Sequence, residues 1–158
     1  MKNPIRIVSC RTEKQIDQVR RLFVEYNEFI GVDLSFQGFS RELAGLPGAY
    51  GPPAGALLLA VGDSAAAAGC VGLRRHKEGI CEMKRLYVRP AFRRTGLGRR
   101  LALRIIEAAR DLDYLKMRLD TLGNLSEAVA LYKSLGFKQI PAYYANPLSG
   151  VTYWELDL

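Results

Sequence analysis

The sequence predicts an α+β (mixed α/β) fold: a central mixed β-sheet, antiparallel in its N-terminal meander and partly parallel toward the C-terminus, flanked by about four helices. Three observations predict it. Residues 56–88 hold three apolar, β-prone runs in succession, separated by turn residues. An amphipathic helical period follows at 97–112. A further strand and helix then alternate, an order that brings parallel pairing into the sheet. With 158 residues and 49% hydrophobic content, the chain is expected to form one domain over residues 1–158 and to bury most of its apolar surface.

Taken in order, Ile5 to Ser9 reads as a first strand, and Glu13 to Phe29 as a helix with Ile16, Val19, Leu22, Phe23 and Tyr26 on one face. Gly31 ends it. Residues 31–55 carry Gly, Pro and aromatics without clean periodicity, apart from a short helix at Ser40 to Ala44, and form a candidate acceptor loop. Ala56 to Val61, Cys70 to Arg75 and Ile80 to Val88 are the meander strands, joined through Gly62-Asp63-Ser64 and His76-Lys77-Glu78-Gly79. Leu97, Leu101, Ile105, Ala108 and Leu112 recur at helical steps, and Leu115, Met117 and Leu119 then alternate with Lys116, Arg118 and Asp120 as a strand. Ser126 opens a helix to about Leu135, capped by Gly136. Lys138 to Ile140 and Thr152 to Leu156 read as strands around the loop at 141–147.

The turn Arg93-Arg94-Thr95-Gly96-Leu97-Gly98, set between a strand and a helix, is suited to holding phosphates. Glycines at 96 and 98 remove the Cβ atoms that keep an anion away from the backbone, and the helix that follows presents its N–H groups and partial positive charge. Arg93, Arg94, Thr95, Gly96, Leu97, Gly98, Arg99 and Arg100 are therefore candidate cofactor-binding residues. A Walker loop is excluded because no Gly-Lys-Ser/Thr occurs, and Leu101 stands where a dinucleotide fingerprint needs its third glycine.

The net charge of +7 suits an anionic ligand. Nucleic acid is disfavoured, because the cations are dispersed among Arg20-Arg21, Arg74-Arg75, Lys84-Arg85, Arg93-Arg94 and Arg99-Arg100 without interleaved aromatics. The longest apolar run, Ala54 to Gly62, is too short to span a bilayer, and the N-terminal stretch Met1 to Arg6 lacks a signal-peptide apolar region, so a cytoplasmic protein without a membrane partner is expected. Cys10, Cys70 and Cys81 cannot all pair and lack metal-ligand spacing, which points to reduced thiols and no metal. His76, in an expected surface turn, is assigned no role.

The loop, with Glu82-Met83-Lys84-Arg85-Leu86-Tyr87-Val88 before it and Leu131-Tyr132-Lys133-Ser134-Leu135-Gly136-Phe137 after it, resembles the GCN5-related N-acetyltransferase (GNAT) superfamily. Arg93, Gly96 and Gly98 fit that family's Gln/Arg-x-x-Gly-x-Gly/Ala signature for acetyl-coenzyme A. The resemblance is close over roughly residues 69 to 137. It implies a mixed sheet splayed between its fourth and fifth strands, with the acetyl-coenzyme A (acetyl-CoA) pantetheine pairing to the backbone of Leu86, Tyr87 and Val88. It also implies an acetyl-CoA-dependent N-acetyltransferase that acetylates a primary amine of a small molecule or peptide by direct attack, and it is compatible with a homodimer.

Within that reading the acceptor amine, with a pKa of about 10.4 when lysine-like, needs a base, and Glu82 matches the general-base glutamate of the histone-acetylating branch. Tyr132 matches the tyrosine that protonates the departing thiolate. The place where relatives often carry a cofactor-binding asparagine is Leu125, with Asn124 beside it. Tyr143, Tyr144 and Asn146 are candidate acceptor-pocket residues. A coenzyme A-binding sensor without catalysis is the alternative from another class, and a basic nucleic-acid-binding module is a third.

Overall fold

Side-chain alternation along a fully apolar strand sets the layers of this molecule. In the computed structural model, which describes residues 4–158, the run Ala56–Val61 forms β2. Leu57, Leu59 and Val61 enter one core, while Leu58 and Ala60 enter the other. Such a strand is buried on both faces, so helices must cover both. Met1 to Asn3, the start of the stretch expected to lack a leader, lie outside the described residues.

The remaining elements are β1 (Arg6–Ser9), α1 (Glu13–Ile30), α2 (Phe39–Ala44), β3 (Ala67–Lys77), β4 (Ile80–Val88), α3 (Leu97–Asp111), β5 (Lys116–Leu122), α4 (Ser126–Ser134), β6 (Lys138–Ile140) and β7 (Val151–Asp157). A capping box starts α1: the Gln15 N–H donates to Thr12 Oγ1 at 3.2 Å and the Thr12 N–H donates back to Gln15 Oε1 at 3.1 Å. Val19, Leu22 and Phe23 of α1 pack with Phe39 of α2 on one sheet face. Leu97, Leu101, Ile105 and Ile106 of α3 and Tyr132 of α4 pack on the other. Among the described residues no helix is long and apolar enough to cross a membrane.

One seven-stranded sheet runs in the order β1-β2-β3-β4-β5-β7-β6. All its neighbours are antiparallel except β4 and β5, which matches the expected mixed sheet. The element boundaries differ from expectation chiefly at β3, which begins at Ala67 rather than Cys70 because the alanines at 67 and 68 are buried strand residues. Within residues 31–55, 3-10 turns form at Ser35–Gln37 and Gly48–Tyr50. Tyr50 is buried against the sheet, and Gly72 on β3 makes room for it, since a Cβ at Gly72 would lie 2.8 Å from the Tyr50 ring.

Two irregularities of β4 shape the region between the sheet halves. First, β4 pairs with β5 only from Ile80 to Glu82, against Lys116 to Arg118, and the two strands then part. Second, β4 carries a bulge: Cys70 pairs Tyr87 while Gly72 pairs Lys84, and Arg85 within the bulge has φ 60°. A one-residue bulge inverts the side-chain phase of everything beyond it. Cys81 and Met83 therefore share a core with Leu86 and Val88, whereas Tyr87 joins the opposite core. Arg85 turns to the α2 side, where Glu42 takes it through two bonds, Nε to Oε2 at 3.0 Å and Nη2 to Oε1 at 3.2 Å.

Left-handed backbone at a non-glycine residue costs on the order of 1–2 kcal/mol and persists only where the surroundings enforce it. The Glu42 pair, the Gln37 side chain and the Phe39 ring beneath the guanidinium supply that enforcement. Replacing Arg85 by Met leaves the largely covered Glu42 without its fork, so stability should fall by about 3 kcal/mol. A urea titration should show the lowered midpoint, with a smaller loss in the Arg85→Met, Glu42→Gln double variant, because the stranded charge is then gone. Equal midpoints for the parent and Arg85→Met would show that the bulge stands without the pair.

Candidate active site

Where β4 and β5 part, a cavity of about 510 Å³ opens between them. Its wall runs from Met83 to Val88 on β4 and from Leu119 to Leu122 on β5, and it extends to the turn before α3 and to α4. Of the residues expected to hold the cofactor, Leu86, Tyr87, Val88, Arg93, Arg94, Gly96, Leu97 and Gly98 border this cavity. Thr95, Arg99 and Arg100 do not. The Thr95 hydroxyl donates to the Phe92 carbonyl at 2.6 Å, Arg99 donates to Ser134 Oγ at 2.9 Å, and Arg100 donates to the Ile5 carbonyl at 2.8 Å.

Local sequence explains the turn. Gly96 is the N-cap of α3 with φ 80°, and no atom lies within 4 Å of the place a Cβ would take. The first turn of α3, with its unpaired N–H groups, borders the cavity at Gly96, Leu97 and Gly98. Arg93 braces the loop: its Nε donates to the Val88 carbonyl at 3.0 Å, and its guanidinium lies 4.5 Å from the Phe29 ring centroid. Asn124 and Leu125, at the start of α4, both border the cavity.

Tyr132 reaches the cavity from α4, with its ring edge-on to Phe137 at 5.7 Å. Burial pushes its phenol above the usual range, so the hydroxyl keeps its proton at physiological pH. Such a group donates a hydrogen bond to a neighbouring anion and does not act as one.

Glu82 is buried but stands behind the cavity rather than in its wall. Its Oε1 accepts from Arg74 at 3.1 Å and its Oε2 accepts from the Tyr143 hydroxyl at 2.8 Å. His76, expected in a turn, belongs to β3 and lies 5.0 Å from Tyr143, ring centre to ring centre. Burial lowers the pKa of His76, with Glu82 acting in the opposite sense. Tyr143 is pushed above the ordinary phenol range by burial and then by the Glu82 charge, so it acts as the donor of that pair.

Next to this group lies a second network. Lys84 of β4 and Asp120 of β5 face each other just beyond the last paired residues of the two strands, with Nζ to Oδ1 at 3.3 Å. The Tyr144 hydroxyl donates to Asp120 Oδ2 at 2.8 Å and accepts from Asn146 Nδ2 at 2.8 Å. Gln37 Oε1 accepts from Lys84 at 3.3 Å and from Arg85 at 3.0 Å. The loop carrying Tyr143, Tyr144 and Asn146 thus reaches the site through hydroxyl bonds to two carboxylates, and both rings also pack on Tyr153 of β7. None of the three borders the cavity itself. Burial lowers the pKa of Lys84 from the ordinary lysine range, and Asp120 partly opposes that shift.

Gln37, Lys84, Arg85 and Asp120 were not singled out in the sequence. The signal available was a Lys-Arg pair in the middle of a central apolar strand, where a buried cation requires a partner. Among the described residues no group of three or more His, Cys, Asp or Glu side chains is placed to hold a metal ion.

Known proteins share this architecture. The profile of the Acetyltransferase (GNAT) domain matches residues 53–139. A Schizosaccharomyces pombe protein named as an uncharacterized N-acetyltransferase is 43% identical over 155 residues, covering 98% of this chain and 95% of its own length. A GNAT-family acetyltransferase from Staphylococcus aureus superposes with a TM-score of 0.81 at 17% identity, covering 98% of this chain and 99% of that one. A Bacillus subtilis acetyltransferase solved in complex with CoA superposes with a TM-score of 0.70 at 18% identity, covering 98% and 99%. At such identities the two structures speak for the fold, whereas the domain profile and the fission-yeast relative speak for descent. The parted β4 and β5, the glycine turn ahead of α3 and these matches lead to one conclusion: the chain belongs to the GNAT acetyltransferase family.

Proposed function

We propose that this protein is an acetyl-CoA-dependent N-acetyltransferase, acting as one domain, that acetylates a primary amine of a small molecule or peptide by direct attack. The parting of β4 and β5 after Glu82 and Arg118 carries the reading, because it leaves one flank of β4 free to pair with an extended ligand while a glycine turn waits at the end of the same cavity. The residues fit the coenzyme. Neither Gly96 nor Gly98 has a crowded Cβ position, the only neighbour of the latter being a Val88 methyl at 3.8 Å, so a phosphate has room against the backbone. Acetyl-CoA supplies, when bound, an acetyl group activated as a thioester and a thiol leaving group.

In this reading the N–H groups at the start of α3 hold the phosphates, with Arg93 and Arg94 adding charge, and Leu86 to Val88 offer backbone groups to the pantetheine arm. A backbone N–H near Val88 stabilises charge on the carbonyl oxygen. Tyr132 gives its proton to the sulfur as the carbon–sulfur bond breaks and the carbon–nitrogen bond forms. Glu82 is the base for the surplus amine proton; since it does not line the cavity, the proton reaches it through water. The concave site, bordered by Val32, Leu34 and Gln37 from residues 31–55 and by Leu148 after the Tyr143-Tyr144 loop, favours a small acceptor over a folded protein.

Acetyl-CoA should raise the melting temperature of the parent and leave that of Gly98→Val unchanged, since the added methyls fill the phosphate site while the backbone remains helical. A parent-like shift in a folded Gly98→Val would remove the phosphate assignment. Position 98 is a cleaner test than position 96, where the left-handed backbone itself penalises a side chain.

For Tyr132→Phe, kcat should fall by about a hundredfold with little change in acetyl-CoA affinity, as steady-state kinetics would show. An unchanged kcat with chemistry limiting would make Tyr132 a packing residue. With Glu82→Gln, the kcat/KM plateau should drop and its acidic limb should flatten. A superimposable profile would hand proton removal to water or to groups in the cavity wall.

A further inference from the structure

The charges that border the cavity are not equally available. Arg85 is taken up by Glu42 and Gln37, and Arg93 is anchored at the cofactor end by the Val88 carbonyl and the Phe29 ring. Arg94 belongs to the turn ahead of α3 and Glu127 to the first turn of α4, at the cofactor end. Lys84 and Asp120 remain, side by side on the two parting strands, with side chains 5% and 11% exposed.

Their bonding is incomplete. A well-formed ammonium–carboxylate bond spans about 2.7–2.9 Å. Lys84 Nζ instead stands 3.3 Å from Asp120 Oδ1 and 3.3 Å from Gln37 Oε1, and an ammonium has a third hydrogen to donate. Each Asp120 oxygen accepts one donor, Lys84 or Tyr144, and retains capacity for another. Burial disfavours the charge on Lys84, so a second carboxylate beside it would restore what the cavity takes away. Aliphatic side chains line the same cavity, among them Ile30, Val32, Leu34, Leu148 and Val151.

Resting on the acetyltransferase reading, we propose that the acceptor is a free α-amino acid with an uncharged aliphatic side chain, its ammonium group taken by Asp120 and its carboxylate by Lys84. Two opposite charges set about one bond length of salt bridge apart match a zwitterion laid antiparallel to them, each ligand charge meeting its opposite. A plain alkylamine satisfies Asp120 but brings a like charge to Lys84. A peptide N-terminus offers no carboxylate within reach of the same pair, and a second charge on the side chain would be left against Ile30, Val32 and Leu34 without a counter-ion.

The test compares leucine, leucinamide and 3-methylbutylamine with the native protein in a thiol-release assay. These share one side chain and differ only in the group that faces Lys84. Leucine should exceed the other two in kcat/KM by about tenfold or more, the scale of one charged hydrogen bond. Lys84→Met should erase that ratio, whereas Asp120→Asn should lower all three rates. Acetylation of the amide or the alkylamine at rates equal to leucine or above would overturn the amino-acid assignment and leave the acetyltransferase reading standing. Silence with every amine would instead defeat that reading. Calorimetry on the native CoA complex then decides the pocket on its own: tighter binding of leucine than of leucinamide supports it, and equal or absent binding of both overturns it.

Discussion

A strand that changes phase halfway along its length governs this molecule. Until Lys84, β4 behaves as an ordinary central strand; after the bulge at Arg85 its side chains exchange faces. That exchange lets Lys84 and Arg85 both reach Gln37 on the α1–α2 side, which a regular pleat forbids for consecutive residues. It also returns Leu86 and Val88 to the core that α3 covers, directly ahead of the glycine turn. The bulged residue is met by Glu42, a residue of a short helix outside the sheet. The bulge, with the Arg85–Glu42 pair beside it, and the loss of β4–β5 pairing after Glu82 together shape the wall of the cavity.

Buried charge is costly unless paired, and here it is paired along β4: Arg74 with Glu82, Lys84 with Asp120, Arg85 with Glu42. The first pair spans neighbouring strands of one hairpin, whereas the other two join elements some forty residues apart, so these charges cannot rearrange one residue at a time. Tyr143 and Tyr144 extend two of these pairs to the β6–β7 connection. The phenols remain donors because burial and the neighbouring carboxylates both oppose their ionisation.

Much of the fold was legible because burial periodicity is a local property. The stripe from Leu97 to Ile105, the alternation in Lys116–Leu122 and the turn glycines all report their neighbours within a few residues. The cavity-facing members of the loop were legible for the same reason, since Gly96 acts through its own backbone. The acceptor side was not. Asp120 follows Lys116 and Arg118 on the polar face of an alternating strand and reads as solvated; only the parting of β4 and β5 brings it to Lys84. The left-handed Arg85 is likewise invisible locally, because the force that holds it comes from Glu42 and Phe39, far away in the chain. Thr95, Arg99 and Arg100 show the converse limit: a motif gives positions along the chain, whereas the direction of each side chain is decided by what else can bond it.

Gln37 gives this arrangement an evolutionary corollary. It stands on a 3-10 turn, not on the sheet, and a single carbonyl oxygen on it serves both Lys84 and Arg85. The turn, α2 and the connection that carries Tyr144 are all segments in which length and composition drift cheaply, because few strand pairings cross them. In the acetyltransferase reading, selectivity is consequently adjustable from the periphery: exchange at Gln37 or within 141–150 resets the charge and reach beside Lys84 and Asp120, while Glu42, the glycine turn and α3 stay in place. Descendants of one such domain can part ways in what they accept long before they differ in how they hold the coenzyme.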